Sequence, residues 1–143
     1  MKQEDKNLLL KDLCARLPYG VMCHYNCVAE YGTIVLHKAN CVNKLEGIIP
    51  FNEHIGFMVD CDKIDALEGD IKPYLRPMSS MTEEERKEYE LLANHCIVNS
   101  IGFVYLEAAP FIDWLNAHQF DYRGLIERGL AIEVTEENNP YKE

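Results

Sequence analysis

The apolar positions of the first 17 residues recur at three- and four-residue steps, with charged residues between them; they are Leu9, Leu10, Leu13, Cys14 and Leu17. This spacing is typical of one face of an α-helix. We therefore predict an N-terminal helix from Glu4 to Leu17. Pro18 ends it, because a proline disfavours the helical conformation of the residue before it.

After Tyr19-Gly20 the pattern changes to alternation, which predicts a strand with two different faces. One face carries Val21, Cys23, Tyr25 and Cys27, and the other carries Met22, His24, Asn26 and Val28. A turn at Tyr31-Gly32 leads into a second β-branched run over 33–37. The local prediction is therefore a hairpin.

Two further short strands are predicted at 45–49 and 55–61, and the breaks between strands are supplied by Asn40, Asn43, Pro50 and Asn52. Consecutive short strands with tight connections predict a small, strongly twisted antiparallel sheet. The pattern leaves open whether this sheet closes into an SH3-like barrel.

The middle of the chain combines proline with a strong helix signal. Two prolines predict an extended segment with little regular structure over 71–81, which we call the proline strap. Thr82 and Glu85 have the spacing of a capping box, which predicts a helix from 82 to Ala93. The β-branched and aromatic run over 97–106 predicts a strand.

The last third is predicted to be mainly helical. Pro110 suits the first position of a helix, and Asp121 suits the cap of a short helix that Gly129 ends. A strand over 130–134 and a frayed acidic tail over 135–143 complete the chain. The predicted fold class is thus α+β, with an N-terminal helix, a small twisted sheet, two or three further helices and one or two further strands.

Length and charge narrow the classes of protein to consider. A chain of 143 residues fits one domain with one core, residues 1–143. The net charge is −10: residues 1–60 carry seven acids and six bases, whereas residues 110–143 carry seven and three. Because nucleic-acid binding depends on Lys and Arg neutralising phosphates, we do not expect general DNA or RNA binding.

The start of the chain is too charged for a signal peptide, and no apolar run approaches the ~18 residues that cross a bilayer. We therefore expect a cytoplasmic protein without membrane contact. In that compartment the cysteines are expected to be reduced thiols rather than disulfides. They are Cys14, Cys23, Cys27, Cys41, Cys61 and Cys96.

Two stretches carry a family resemblance: Ile71-Lys72-Pro73-Tyr74-Leu75-Arg76-Pro77-Met78-Ser79-Ser80-Met81-Thr82-Glu83-Glu84-Glu85, and Asp113-Trp114-Leu115-Asn116-Ala117-His118 through Phe120-Asp121-Tyr122-Arg123-Gly124-Leu125-Ile126-Glu127. The opening from Leu8 to Val21 is similar too. Together they resemble a family of short uncharacterised proteins encoded in the genomes, prophages and phages of anaerobic gut bacteria. The resemblance implies a cytoplasmic accessory protein of phage or mobile-element growth. It implies no activity, cofactor or catalytic residue.

Metal and thiol chemistry are the first candidates for a site. Cys23 and Cys27 share a face of their strand but lie about 13 Å apart at ~3.3 Å per residue, too far for one zinc ion. No local signature pairs one cysteine with one of the five histidines as nucleophile and base. We therefore predict no metal, no cofactor and no catalytic residue. That the protein is an enzyme is the less favoured hypothesis.

Residues of the two family-like stretches form the candidate ligand- or partner-binding surface: Tyr74, Arg76, Trp114, His118, Tyr122 and Arg123. Aromatic and cationic side chains together suit a peptide or an anionic ligand. The structural alternative is that Arg76 only pairs with the acidic helix after it. In that alternative Trp114 anchors the core and His118 borders it, on the same helical face.

The favoured hypothesis is a non-enzymatic protein-interaction module with an unknown protein partner, associated with phage or mobile elements. One alternative is a binder or hydrolase of a small molecule or nucleotide. Another is an acidic protein that imitates DNA, for which the net charge of −10 is modest. A homo-oligomer is left open.

Overall fold

The computed structural model describes residues 1–51, 54–59, 62–64, 71–98 and 104–142. Its α-helices are α1 (Gln3–Arg16), α2 (Glu83–Val98) and α3 (Val104–Ala117). Its strands are β1 (Met22–Tyr31), β2 (Ile34–Phe51), β3 (His54–Val59), β4 (Asp62–Ile64), β5 (Ile71–Leu75) and β6 (Ile132–Glu133). None of the described helices is long and apolar enough to cross a membrane.

The strands form one mixed sheet in the order β4-β3-β2-β1-β5-β6. The pairings from β4 to β5 are antiparallel, and β6 lies parallel to β5. The N-terminal helix, the sheet and the later helices confirm the predicted α+β class. Among the described strands no pairing joins β4 to β6, the two edge strands of the sheet. The sequence had left closure into an SH3-like barrel open, and these pairings do not test it.

One face of the sheet builds the core. The residues of β1 that were predicted to share a face are buried, namely Val21 just before the strand, Cys23 and Tyr25. Helix α1 packs its Leu9 and Leu13 against them, as the apolar stripe predicted. Cys14, which was predicted on the same stripe, is exposed, and α1 buries Asp12 and Arg16 as well. The rest of this core cluster comes from later in the chain: Leu45, Ile71, Leu75, Leu125, Leu130 and Ala131.

Strand β2 is longer than predicted, because Asn40, Asn43 and Pro50 do not break it. Up to Lys44 it pairs with β1, and from Leu45 onward it pairs with β3. Asn40 has a φ of 56° at a register shift in the β1–β2 ladder. An asparagine tolerates this left-handed conformation, so the extra residue forms a β-bulge instead of ending the strand.

The first part of the proline strap is a strand, not an extended segment with little regular structure. β5 lies between β1 and β6, and Pro73 stands opposite Cys23 in the antiparallel ladder. Burial of its inward residues outweighs the missing N–H of one proline. After Arg76, a 3-10 turn at Met78–Ser80 leads to α2.

The capping box at the start of α2 is confirmed. Thr82 Oγ1 accepts from the Glu85 N–H at 3.1 Å, and Glu85 Oε1 accepts from the Thr82 N–H at 3.0 Å. The predicted strand over 97–106 is wrong in its described parts, since α2 runs to Val98 and α3 begins at Val104. Pro110 lies inside α3 and does not start it. Helical context has overridden the β-propensity of these apolar residues.

Asp121 caps a turn, where the sequence predicted a short helix. Its two carboxylate oxygens accept from the N–H groups of Leu125 and Ile126, both at 2.9 Å. Gly129, with a φ of 71°, ends this turn as predicted. Strand β6 follows within the predicted range of 130–134.

The C-terminal segment is not a frayed tail. The Tyr141 hydroxyl accepts from the Met22 N–H at 3.0 Å and donates to the Tyr74 carbonyl oxygen at 2.8 Å. Burial raises the pKa of this phenol, so it stays protonated and can donate. Because Met22 and Tyr74 belong to neighbouring strands, the segment is fastened to the sheet.

Candidate functional site

The six predicted site residues do not converge in one pocket. Arg76, Trp114 and His118 gather around the buried ring of Phe120. Tyr122 and Arg123 belong to a second cluster beside α1, described below. Tyr74 is buried in β5, where its carbonyl oxygen receives the Tyr141 hydroxyl. Two clusters and one core residue thus replace the single surface that the sequence suggested.

Arg76 is fully engaged within the protein. Its guanidinium donates to both carboxylate oxygens of Glu85 at 2.8 Å and to the Ser80 carbonyl oxygen at 3.2 Å. The same group lies 4.3 Å from the centre of the Phe120 ring, within cation–π range. The hydrogen bond from Arg76 lowers the pKa of the Glu85 carboxyl to about 2, so the pair is charged at neutral pH. This supports the alternative in which Arg76 pairs with the acidic helix.

Trp114 and His118 lie against each other, and both rings stack with Phe120. The Trp114 ring centre lies 4.3 Å from that of His118 and 5.6 Å from that of Phe120. Trp114 Nε1 donates to Glu88 Oε2 at 2.8 Å, which joins α3 to α2. His118 Nδ1 lies 2.9 Å from the Trp114 carbonyl oxygen and must donate to it. These contacts fix both rings in place.

An Asp113–His118 dyad does not form. Asp113 hydrogen-bonds the Tyr19 hydroxyl and thereby raises the pKa of that phenol. Since Asp113 is exposed and His118 is bonded to a backbone carbonyl, neither is arranged to activate a nucleophile.

The second cluster, which contains the predicted residues Tyr122 and Arg123, is built around a buried group of ion pairs. Asp12 accepts from Arg16 Nε through one oxygen and from Arg123 Nη1 through the other, both at 2.8 Å. The Asp12 and Arg16 side chains are 0% exposed, and that of Arg123 is 15% exposed. Arg16 Nη2 also donates to the Phe120 carbonyl oxygen at 2.6 Å. The cluster therefore ties α1 to the segment after α3.

Tyr122 covers this ion cluster. Its ring centre lies 4.4 Å from the guanidinium carbon of Arg123 and 5.4 Å from that of Arg16. Burial raises the pKa of its phenol, which donates to Asn116 Oδ1 at 2.9 Å. Asp12 thus neutralises the charge of Arg123, and the Tyr122 ring stacks on its guanidinium. Arg123 therefore has a structural role.

The sequence reasoning missed Asp12 and Arg16, the two charged residues at the centre of this cluster. They stand four residues apart in α1, the spacing of an intrahelical ion pair. Their position beside the apolar stripe of Leu9 and Leu13 was the available signal. Arg16 Nη1 and the buried Gln119 Oε1 have no hydrogen-bond partner among the described residues.

The described cysteines Cys14, Cys23 and Cys41 are free thiols. Cys23 is completely buried, and burial raises the pKa of its thiol, which disfavours the nucleophilic thiolate. Cys14 is exposed and Cys41 is half-buried. Within the described residues no three His, Cys, Asp or Glu side chains are grouped to hold a metal ion. The side chains of Cys27, Cys61, His95 and Cys96 lie outside the described set.

A shallow groove of about 360 Å³ opens where α1 meets the sheet. Leu17, Pro18 and Leu45 give it an apolar base, and Lys44 and Glu46 place one charge of each sign at its rim. The left-handed Gly20, with a φ of 68°, turns the chain here from α1 into β1. None of its lining residues belongs to the Phe120 cluster or to the buried ion cluster.

The face of the sheet opposite the core bears a different set of groups. We define the outer sheet face as Met22, His24 and Asn26 of β1, Asn40, Val42 and Lys44 of β2, and Lys72 of β5. Asn26, Asn40, Val42 and Lys44 are exposed, and the other three are half-buried. His24 stands opposite Val42 on one side and opposite Lys72 on the other. The His24 imidazole lies 3.1 Å from Asn40 Oδ1, and the Asn40 N–H donates to Asn26 Oδ1 at 3.0 Å.

Comparison of the chain with protein-family models, with curated proteins and with solved structures finds no match.

Proposed function

We propose that this protein is a non-enzymatic protein-interaction module that acts in the cytoplasm as an accessory factor of phage or mobile elements. The genomic association rests on the resemblance of the two stretches around residues 71–85 and 113–127. The physical part of the proposal rests on the structure of the sheet.

The observation that carries it is the uncovered outer sheet face. Val42 on this face is 38% exposed, although the other side of the same strands is packed into the core. The C-terminal segment meets the adjoining end of the sheet, where Tyr141 contacts Met22 and Tyr74. A rigid sheet with one open, partly apolar face is a suitable platform for a protein partner.

The internal ion pairs of Arg76 and Arg123 disfavour a ligand site at the Phe120 cluster or at the buried ion cluster. An anionic ligand at Arg76 or Arg123 would have to displace Glu85 or Asp12 from 2.8 Å ion pairs. Breaking a buried pair typically costs about 3–5 kcal/mol. Interaction through another surface avoids this cost.

Site-specific photo-crosslinking tests the proposal. A photoreactive amino acid replaces Val42 in one variant and the exposed Glu127 in a control, and both proteins are irradiated in cells that carry the gene. We expect one protein to be joined to position 42 and not to position 127. That protein is then purified, and its dissociation constant for the unmodified chain is measured by calorimetry. Absence of a saturable complex between the two purified proteins contradicts the proposal.

The alternative of a small-molecule or nucleotide binder is favoured by one observation, the groove of about 360 Å³ beside Lys44. A volume in this range can hold a small ligand. A thermal-shift screen against nucleotides and phosphorylated metabolites tests it, because a ligand at 100 times its dissociation constant adds about 2.7 kcal/mol of stability. A shift that disappears in Leu17→Trp, which fills the groove, would replace the interaction proposal.

A further inference from the structure

We infer that the outer sheet face recognises an acidic segment of a partner protein that carries an apolar side chain. The inference rests on the proposed function and adds to it the position of the docking surface and the chemistry of its partner. Three features of the face support it: its unpaired cations, its apolar centre and its fixed polar network.

The first feature is the distribution of cations. Every arginine of the chain forms an ion pair with an acidic residue of the protein; they are Arg16, Arg76, Arg86, Arg123 and Arg128. Lys44 and Lys72 form no ion pair within the part of the chain that the structure describes. The outer sheet face therefore offers free positive charge on a protein whose net charge is −10.

The register of the strands brings these cations together. Lys72 is paired with His24, and Lys44 is paired with Met22, two residues earlier on the same strand. With strands about 4.8 Å apart and ~3.3 Å per residue, the two lysine Cα atoms are roughly 12 Å apart. Carboxylates on one short segment can reach both ammonium groups, because each lysine side chain is long and flexible.

The second feature is the apolar surface beside the lysines, where Met22 is paired with Lys44 and Val42 lies two residues before Lys44 on β2. Val42 is exposed and Met22 is half-buried, so one apolar side chain of a partner can be covered there. The third feature is the His24–Asn40–Asn26 network, which holds the polar edge of the face in one conformation. A preorganised face loses less conformational entropy on binding.

The charge of the outer sheet face decides between possible occupants. A second copy docked through this face by two-fold symmetry would bring Lys44 and Lys72 of both copies close together, so a second copy is not favoured. A nucleic acid would need more cations and exposed aromatic rings for stacking, which the outer sheet face does not carry. An acidic protein segment needs only the lysines and the apolar centre.

The test uses three synthetic peptides and the full chain labelled with ¹⁵N. The first peptide has glutamates around a single leucine, the second replaces the glutamates with glutamine, and the third replaces them with lysine. We expect only the first to shift the amide signals of His24, Val42, Lys44 and Lys72. Raising the salt concentration should weaken its binding, because the lysines are exposed or half-buried.

Variants separate the face from the general charge of the protein. Lys44→Glu/Lys72→Glu should weaken binding of the first peptide about tenfold or more, since two attractive pairs become repulsive. Lys11→Glu/Lys87→Glu changes the net charge equally at exposed sites on α1 and α2 and should leave binding within about twofold. Val42→Ser retains the lysines and should weaken binding through loss of apolar contact alone. The amide spectrum of each variant verifies that it is folded.

Several results would overturn the inference. Peptide signals that map to another surface, equal binding of the glutamine peptide, or equal loss in both double variants would each exclude this face as an acidic-segment site. Concentration-dependent self-association that Lys44→Glu/Lys72→Glu abolishes would assign the face to a second copy. If the crosslinked partner protein binds Lys44→Glu/Lys72→Glu unchanged, the interaction module stands and only the inference fails.

Discussion

The Tyr141 hydroxyl lies 2.8 Å from the Tyr74 carbonyl oxygen, to which it donates a hydrogen bond. The same hydroxyl accepts from the Met22 N–H, so it bridges β1 and β5 one position beyond Cys23–Pro73, the pair at which their ladder ends. Tyr141 thereby satisfies two backbone groups of the central strands. The end of the chain is part of the fold.

We predict that Tyr141→Phe lowers the free energy of unfolding by about 1–3 kcal/mol, since it leaves a buried donor and a buried acceptor without a partner. Urea denaturation followed by circular dichroism measures this change. Glu136→Gln, an exposed change in the same segment, is the control and should have little effect. Equal stability of Tyr141→Phe and the parent chain would show that water replaces the hydroxyl.

Asp12→Asn should destabilise the protein by about 3–5 kcal/mol, because it leaves Arg16 charged, buried and without its carboxylate. The matched control is Asp5→Asn, which removes the Arg128 partner at a site where Arg128 is 52% exposed. That change should cost about 0–1 kcal/mol. Denaturant titration of both variants gives the comparison, and similar losses would contradict a special role of the buried cluster.

Glu85 should make stability depend on pH in the acidic range. Hydrogen bonding from Arg76 holds the pKa of its carboxyl at about 2, below the ordinary 4.5. The unfolded chain therefore takes up the proton first, and the contribution of the pair is complete above pH 4.5 and is lost as the pH falls toward 2.

We expect the parent chain to be more stable than Glu85→Gln by about 2 kcal/mol at neutral pH, and the difference to shrink below pH 4.5. Unfolding free energies measured across this range provide the test. Glu84→Gln, at the exposed neighbouring position, should follow the pH curve of the parent chain. Parallel curves for Glu85→Gln and the parent would contradict the Arg76 pairing.

Asn40 should tolerate glycine but not valine. At its φ of 56° a β-branched residue is strained by about 1–2 kcal/mol, whereas glycine is unstrained and loses only the Asn40 side-chain contact to His24. Thermal unfolding of Asn40→Val and Asn40→Gly measures the difference. Ala39→Val, at the exposed neighbour with ordinary backbone, is the control. Equal melting temperatures of Asn40→Val and Ala39→Val would contradict a left-handed backbone at residue 40.

Patterns within a few residues of each other were predicted well. The burial of Leu9 and Leu13 in α1, the buried face of β1 and the Thr82–Glu85 capping box all follow from patterns among near neighbours in the chain. Predictions that needed a partner elsewhere in the chain were less successful. The proline strap contains β5 because β1 and β6 accept it as a neighbour, which no local pattern of residues 71–81 reveals.

The candidate site shows the same division. Three of the residues that the sequence singled out, Arg76, Trp114 and Arg123, do form specific side-chain hydrogen bonds. The structural role of Arg76 was among the alternatives that the sequence offered, because Glu85 lies only nine residues away. The partners of Trp114 and Arg123, Glu88 and Asp12, could not be predicted, because they lie on other elements. Each of these contacts is 2.8 Å long. The side chains that the sequence suggested for binding a ligand or partner are therefore engaged in internal ion pairs and hydrogen bonds.

The sequence by itself determined the α+β class, the acidic character and the ends of the elements that carry their own caps or turns. These properties depend on composition and on residues close together along the chain, where the geometry of the backbone is regular. Only the tertiary structure decided which charges are neutralised, how the chain end is fastened and which face of the sheet is open. Ion pairs such as Asp12–Arg123 join residues 111 positions apart, and their partners are selected by packing.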